Sequence, residues 1–189
     1  MCGRYYIEID ESELQDIVNE VEKKTGEYQG ELNLKTSGEI FPTDIVPVQT
    51  GINEYWPMKW GFVGYNGKPV INARSETALQ KPMFKLSMQD RRCLIPASGY
   101  YEWKKDGSKK TKCRIYSPGE PMYLAGCYRK DKDSNLFNFV VLTRPADYGI
   151  ENIHDRMPVI VPQTHIKTCL YESPDVIEYV IQDLRYGVA

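Results

Sequence analysis

The sequence predicts an α+β fold: a curled, largely antiparallel β-sheet, barrel-like in its core, with helices at its periphery. Three observations predict it. Segments rich in Tyr, Val, Ile, Phe and Trp make up most of the patterned sequence. The links between them are short, which implies antiparallel pairing. Helical spacing is confined to residues 10–24, 76–89 and 163–186.

In order, residues 2–9 (CGRYYIEI) read as a strand. Residues 10–24 read as a helix, capped by Asp10 or Ser12, with Leu14, Ile17, Val18 and Val21 at helical spacing. A polar loop is expected over 25–38. Residues 39–50 are extended but broken by Pro42 and Pro47, so an edge or irregular strand is expected. Residues 54–65 are aromatic and strand-like, and Asn66–Pro69 is a turn.

Residues 76–89 read as a helix in two pieces, interrupted at Pro82, with Ser75 as a candidate cap. Residues 91–117 read as a strand, a Pro/Gly turn, a strand, a Lys/Gly hairpin loop and a third strand. Residues 121–146 form another hairpin, turning near Asp131–Asn135. MPVIVP (157–162) is a short apolar strand, and Gln163–Tyr186 is largely helical.

The 189 residues suffice for one domain with a buried core, and a single domain over 1–189 is expected. The net charge is −2, which argues mildly against a dedicated nucleic-acid binder. The charge is uneven, however. Residues 1–40 hold ten acids and four bases, whereas 81–114 hold ten bases and three acids. The Lys104, Lys105, Lys109, Lys110, Lys112 run is either a solvated turn or a face for a phosphate backbone. Five cysteines without a CxxC argue against a disulfide framework or zinc ribbon. The polar, acidic start and the lack of a long apolar run predict neither signal peptide nor membrane span, and a cytoplasmic location. No metal site, P-loop or GxGxxG motif is present, so no cofactor is expected.

Four positions carry candidate chemistry. Cys2 follows the initiator methionine. Removing Met1 frees an α-amine, with a reference pKa of roughly 7.7–8.0, beside a thiol of roughly 8.5. An amine attacks an aldehyde to give an imine, and a thiol on the neighbouring carbon can close on that imine as a thiazolidine. The thiol can equally serve as a peptidase nucleophile, or Cys2 is simply a buried structural residue. His154, in a loop leading to an apolar strand, is an acid/base candidate, whereas His165 reads as a surface residue. Glu102 alternates with Trp103, so the two lie on opposite strand faces. A carboxylate held among aromatics has a raised pKa and can shuttle protons. In VINARSET, the Asn72 amide can orient a nucleophile and the Arg74 fork can bind phosphate. Each of these three also has a purely structural reading.

Together MCGR, WGF, NARSET, RCLIPASGYYEWKK, VLT and IHDRMPVI, in this order, resemble the SRAP (SOS response-associated peptidase) family of abasic-site sensors. The resemblance runs from Cys2 to about Pro162. It implies Cys2 as the catalytic nucleophile, Asn72 as its positioning residue, and Glu102 and His154 as an acid/base pair. It implies Arg4 and Arg74 as backbone-gripping arginines, Trp60 and Gly61 as part of a DNA-binding surface, and Thr143 as a residue lining the same pocket. The implied partner is single-stranded DNA carrying abasic sites, captured covalently through Cys2 by a monomer. The rival readings are a thiol autopeptidase and a non-catalytic single-stranded DNA-binding module. Phe41 departs from the family pattern, which has a small residue before Pro42.

Overall fold

A computed structural model describes residues 2–8, 12–25, 32–119, 121–132, 134–147, 149–172 and 184–189. Its strands are β1 (Arg4–Ile7), β2 (Gly38–Ile40), β3 (Ile45–Gly51), β4 (Glu54–Trp60), β5 (Phe62–Val63), β6 (Pro69–Val70), β7 (Asn72–Arg74) and β8 (Arg92–Ala97). They continue as β9 (Gly99–Asp106), β10 (Lys109–Tyr116), β11 (Met122–Lys130), β12 (Phe137–Pro145), β13 (Arg156–Pro158), β14 (Ile160–Val161) and β15 (Arg185–Val188). The helices are α1 (Ser12–Thr25), α2 (Ser75–Ala78), α3 (Lys85–Asp90) and α4 (Ile166–Tyr171).

Five strands close into a barrel, in the order β12–β4–β3–β8–β11 and back to β12. All its pairings are antiparallel except β12 with β4. β7 adds to β12 in parallel, and β13 and β14 extend β12 and β11. A second, wholly antiparallel sheet, β15-β10-β9-β1-β2, packs against the barrel.

The apolar runs RCLIPA, MYLAGC and FVVL are strands buried on both faces. Alternate residues serve alternate cores, as the two-residue strand period demands. Cys93, Ile95, Met122, Leu124, Phe139 and Val141 join the core that fills the barrel and reaches Tyr5, Tyr100 and Ile115 of the second sheet. Leu94, Tyr123, Ala125, Cys127, Val140 and Leu142 face outward, under residues of α2, α3 and α4. Leu14, Ile17 and Val21 of α1 join the inner core. Each such buried side chain contributes about 1.5–3 kcal/mol by leaving water.

Arg92 ties the peripheral helices together. It is buried, and its guanidinium donates to the carbonyls of Met88 and Gln89 at the end of α3 and of Cys169, Leu170 and Glu172 at the end of α4. A cation there satisfies orphan carbonyls and opposes the negative ends of both helices.

Several expectations are corrected. Residues 39–50 are not one edge strand. β2 ends the second sheet, but β3 lies inside the barrel between β4 and β8. Pro47 is accommodated there because it sits opposite Pro57, so the two residues lacking an N–H share one rung. The Pro/Gly segment does not turn back either. At Ser98 the chain leaves the barrel and enters the second sheet, with the Ser98 amide donating to Tyr6 O and its hydroxyl accepting from the Glu8 amide. Gly99 is required by close approach, since a Cβ would meet the Tyr6 hydroxyl at 2.3 Å and Ile115 O at 2.5 Å.

MPVIVP divides between β13 and β14 because its neighbour changes from β12 to β11. The tail from Gln163 is a 3-10 turn and α4, then, beyond 173–183, which lie outside the described residues, the strand β15 rather than helix. Ser75 is the first residue of α2, not its cap, and its hydroxyl donates to Thr143 O at 3.2 Å. The loop expected over 25–38 lies partly outside the described residues, and Leu34 within it bridges to Ile45.

Candidate active site

Cys2 enters β1 fully buried, and its position is held through the main chain: Asn72 Nδ2 donates to Cys2 O at 2.8 Å. Asn72 is the first residue of β7, in register with Val141 on β12, so the barrel wall fixes its amide. The Cys2 thiol donates to Arg4 O at 3.9 Å. Burial pushes the thiol's pKa up, and the nearby Glu102 carboxylate pushes it further. With Met1 attached, the Cys2 nitrogen belongs to a peptide bond.

Glu102 lies on β9, 3% exposed, one residue from the half-buried Trp103. The alternation along SGYYEW therefore places its side chain as the sequence predicts. Burial raises its carboxyl pKa, partly opposed by nearby positive charge that includes His154. Glu102 thus interacts with Cys2 on one side and His154 on the other. Glu102, Trp103, Lys105, Lys110 and His154 line a cleft of about 290 Å³. Cys2 is fully buried and is not among the lining residues.

His154 sits where the loop after β12 turns into β13. Its Nδ1 accepts from the Arg156 amide at 3.0 Å and lies 2.7 Å from Asp155 Oδ1. The amide contact favours the neutral tautomer with its proton on Nε2. The Asp155 contact becomes favourable when the ring takes a second proton.

Two residues outside the expected set join these segments. Arg156, mostly buried, forms a two-pronged ion pair with Glu76, and its Nη2 also donates to Thr143 O at 2.6 Å. The pair connects NARSET to HDRMP. The signal in the sequence was a single acid in one motif and an arginine in the other, which have no visible relation until the fold pairs them.

Arg4 reaches the rim of the cleft. Its Nη1 donates to Glu39 Oε1 at 2.9 Å, and its guanidinium lies 4.3 Å from the Phe41 ring centre and 5.2 Å from that of Trp103. The departure at Phe41 is therefore an aromatic bed for Arg4. Arg74, at the end of β7, is exposed.

Trp60 and Gly61, expected in a DNA-binding surface, and Thr143, expected to line the pocket, are all buried. Trp60 is fully buried, stacked on Phe139 with its Nε1 donating to Ile71 O at 3.0 Å. Gly61 is buried at φ +119°, bending the chain out of β4 while its amide donates to Phe139 O. Thr143 is fully buried, and its hydroxyl accepts from Arg156 instead of lining the cleft. None of the three lines the cleft of Glu102 and His154, and Gly61 borders a separate pocket with Thr43, Lys59 and Asn138. His165 is exposed, as expected.

A closed barrel with a second sheet thus carries an early cysteine held by an asparagine, and a buried glutamate that shares a cleft with a histidine. The chain belongs to the SOS response associated peptidase (SRAP) family, whose model matches residues 1–185. It is 30% identical over 203 residues to the abasic site processing protein YoaM of Bacillus subtilis (strain 168), covering 96% of this chain and 85% of that one. Over 110 residues it is 37% identical to the abasic site processing protein YedK of Escherichia coli (strain K12), covering 56% of this chain and 50% of that one. The fold matches crystal structures of a Bacteroides thetaiotaomicron protein (TM-score 0.76, 20% identity, 99% and 91% coverage) and a Bordetella bronchiseptica protein (0.75, 19%, 100% and 99%). Among the described residues no helix is long and apolar enough to cross a membrane.

Proposed function

We propose that this protein captures abasic sites in single-stranded DNA by forming a covalent thiazolidine through Cys2 once Met1 is removed. The supporting observation is that Glu102 and His154 share one cleft while Glu102 also acts electrostatically on the buried Cys2, which Asn72 anchors. The relatives' names supply the substrate class.

An abasic sugar equilibrates with its ring-opened aldehyde. The Cys2 amine attacks that carbon, water leaves, and the resulting imine is closed by the Cys2 sulfur. Glu102, whose carboxyl pKa burial raises, takes the proton from the α-ammonium. His154 protonates the departing hydroxyl. Lys105 and Lys110 at the cleft, with Arg4 and Arg74 nearby in sequence to the site residues, supply the positive charge for flanking phosphates. Trp103 offers a ring for a base to stack on. A single strand suits the site, because no pairing has to be broken to expose the sugar.

The test is incubation with an oligonucleotide carrying one abasic site. A heat-stable adduct is expected with the processed protein and none with Cys2→Ala. No adduct from the processed wild type, or one that survives Cys2→Ala, sinks the reading.

A second reading is thiol peptidase action on the chain's own N-terminus. What favours it is that the Cys2 thiol adjoins the Met1–Cys2 peptide bond by covalent connection and has the buried Glu102 beside it. Intact mass after expression of Glu102→Gln separates self-processing, with Met1 retained only in the variant, from removal by an aminopeptidase.

A further inference from the structure

Tyr5 and Tyr100 face each other directly across β1 and β9, and both point into the core. Both are fully buried, and neither hydroxyl makes a hydrogen bond among the described residues. A buried hydroxyl without a partner costs free energy that phenylalanine would avoid. Here two such hydroxyls occur on one cross-strand pair, and both lie within electrostatic reach of Cys2. Glu102 follows Tyr100 by two residues and shares its strand face.

The sulfur's own surroundings give this arrangement a meaning. In the thiol form Sγ is a donor, to Arg4 O. Once ionised it becomes an acceptor and loses that bond. A buried thiolate beside a carboxylate needs hydrogen-bond donors, and the donors left over at this place are the two tyrosine hydroxyls. The other ionisable groups facing the three side chains are Glu102, the chain's terminal ammonium towards Cys2, Asp44 towards Tyr5, and Asp147 towards Tyr100, so one cation stands against three acids. His154 lies beyond Glu102.

We infer that Tyr5 and Tyr100 form a donor pair for the Cys2 sulfur, their hydroxyls hydrogen-bonding the thiolate as it forms and holding it for attack. The inference rests on Cys2 being the nucleophile, as proposed above. In the ring-closing step the thiol proton passes to Glu102. The C–S bond forms as the C=N pair withdraws onto nitrogen, and that nitrogen takes a proton back from Glu102. The tyrosines keep their own protons throughout.

The experiment uses the full chain beginning at Cys2, as wild type, Tyr5→Phe, Tyr100→Phe and the double variant. Three quantities are read: melting temperature, the pH dependence of iodoacetamide alkylation located at Cys2 by peptide mass, and adduct formation on the abasic oligonucleotide. The expected result is an alkylation midpoint about one pH unit higher in the double variant, a roughly tenfold loss of thiolate at neutral pH, with melting unchanged or raised. Adduct formation slows in parallel. An unchanged midpoint overturns the inference. So does a lowered melting temperature, because it means the hydroxyls already have structural partners. If the wild type forms no adduct while the midpoint still shifts, the donor pair stands and the abasic-site reading fails.

Discussion

Glu76 and Arg156 are joined by a two-pronged ion pair that bridges the segment carrying Asn72 and the loop carrying His154. Arg156 is the buried partner and Glu76 the more exposed one, with side-chain exposures of 9% and 42%. The hydrogen bonds from Arg156 lower the Glu76 carboxyl pKa to about 2. The pair thus serves as a brace between two motifs separated by 80 positions.

Replacing Glu76 by Gln removes the charge and one of the two acceptor oxygens that face the mostly buried Arg156 guanidinium. The expected destabilisation is about 1–2 kcal/mol, below the cost for a fully buried pair because Glu76 is partly solvated. Chemical denaturation at pH 7 measures it. Since the folded pKa is depressed, the contribution is present above the unfolded carboxylate value and is lost as pH falls towards 2. The wild type and Glu76→Gln should therefore converge in stability as the solution is acidified through that window.

Asn72→Asp keeps the shape but turns a donor into an acceptor facing Cys2 O. Losing that anchor should reduce the rate of abasic-site capture roughly 10- to 100-fold, equivalent to about 1.4–2.7 kcal/mol. The fold should persist, because Asn72 stays in its β7 register with Val141. Single-turnover adduct kinetics with a parallel melting curve check this.

Glu102→Gln removes a buried charge that the fold tolerates at a cost. The carboxyl pKa is raised, so its contribution to stability is fully present below the unfolded value and is lost as pH rises through the folded one. The variant should accordingly melt no lower than wild type at pH 8 while losing adduct formation. The wild-type capture rate should fall on the acid side as Glu102 takes up its proton, and that limb should vanish in the variant. A pH–rate profile of both proteins is the measurement.

Arg92→Met should be among the most damaging single changes outside the site. It strands five carbonyls at the ends of α3 and α4. A loss of about 3 kcal/mol or more is expected, which lowers the melting temperature by roughly 6–12 °C for a chain of this size. Arg92→Lys should recover only part of it, since one ammonium cannot span both helix ends. Calorimetry of the three proteins distinguishes these outcomes.

Much was legible without coordinates because it depends on near neighbours. Leu14, Ile17 and Val21 at helical spacing place one face of α1 in the core. The alternation around Glu102 and Trp103 separates their faces. The motifs put Asn72, Glu102 and His154 forward as site candidates, and the fold brings Asn72 to Cys2 and Glu102 to both Cys2 and His154. The burial of Trp60, Gly61 and Thr143 was not legible, for a single reason. A motif marks that a residue is needed but not whether its side chain meets solvent or the core, and in a barrel wall buried on both faces neither direction is open.

By itself the sequence determined the class of fold, most of its strands and the helix α1, the family, and the identity of an early cysteine with two potential nucleophilic atoms. Each follows from local covalent chemistry, from side-chain period or from motif order. Only the tertiary structure decided that β12 runs parallel to β4 and β7, that Pro47 lies inside a barrel, and that β15 closes the second sheet against β10. It alone paired Glu76 with Arg156 and set Tyr5 opposite Tyr100 in the core shared with Cys2, with both hydroxyls unpartnered among the described residues. Those relations join residues as far as 95 positions apart, Tyr5 to Tyr100. They arise from burying a shared core, a long-range cooperative effect that no local pattern encodes.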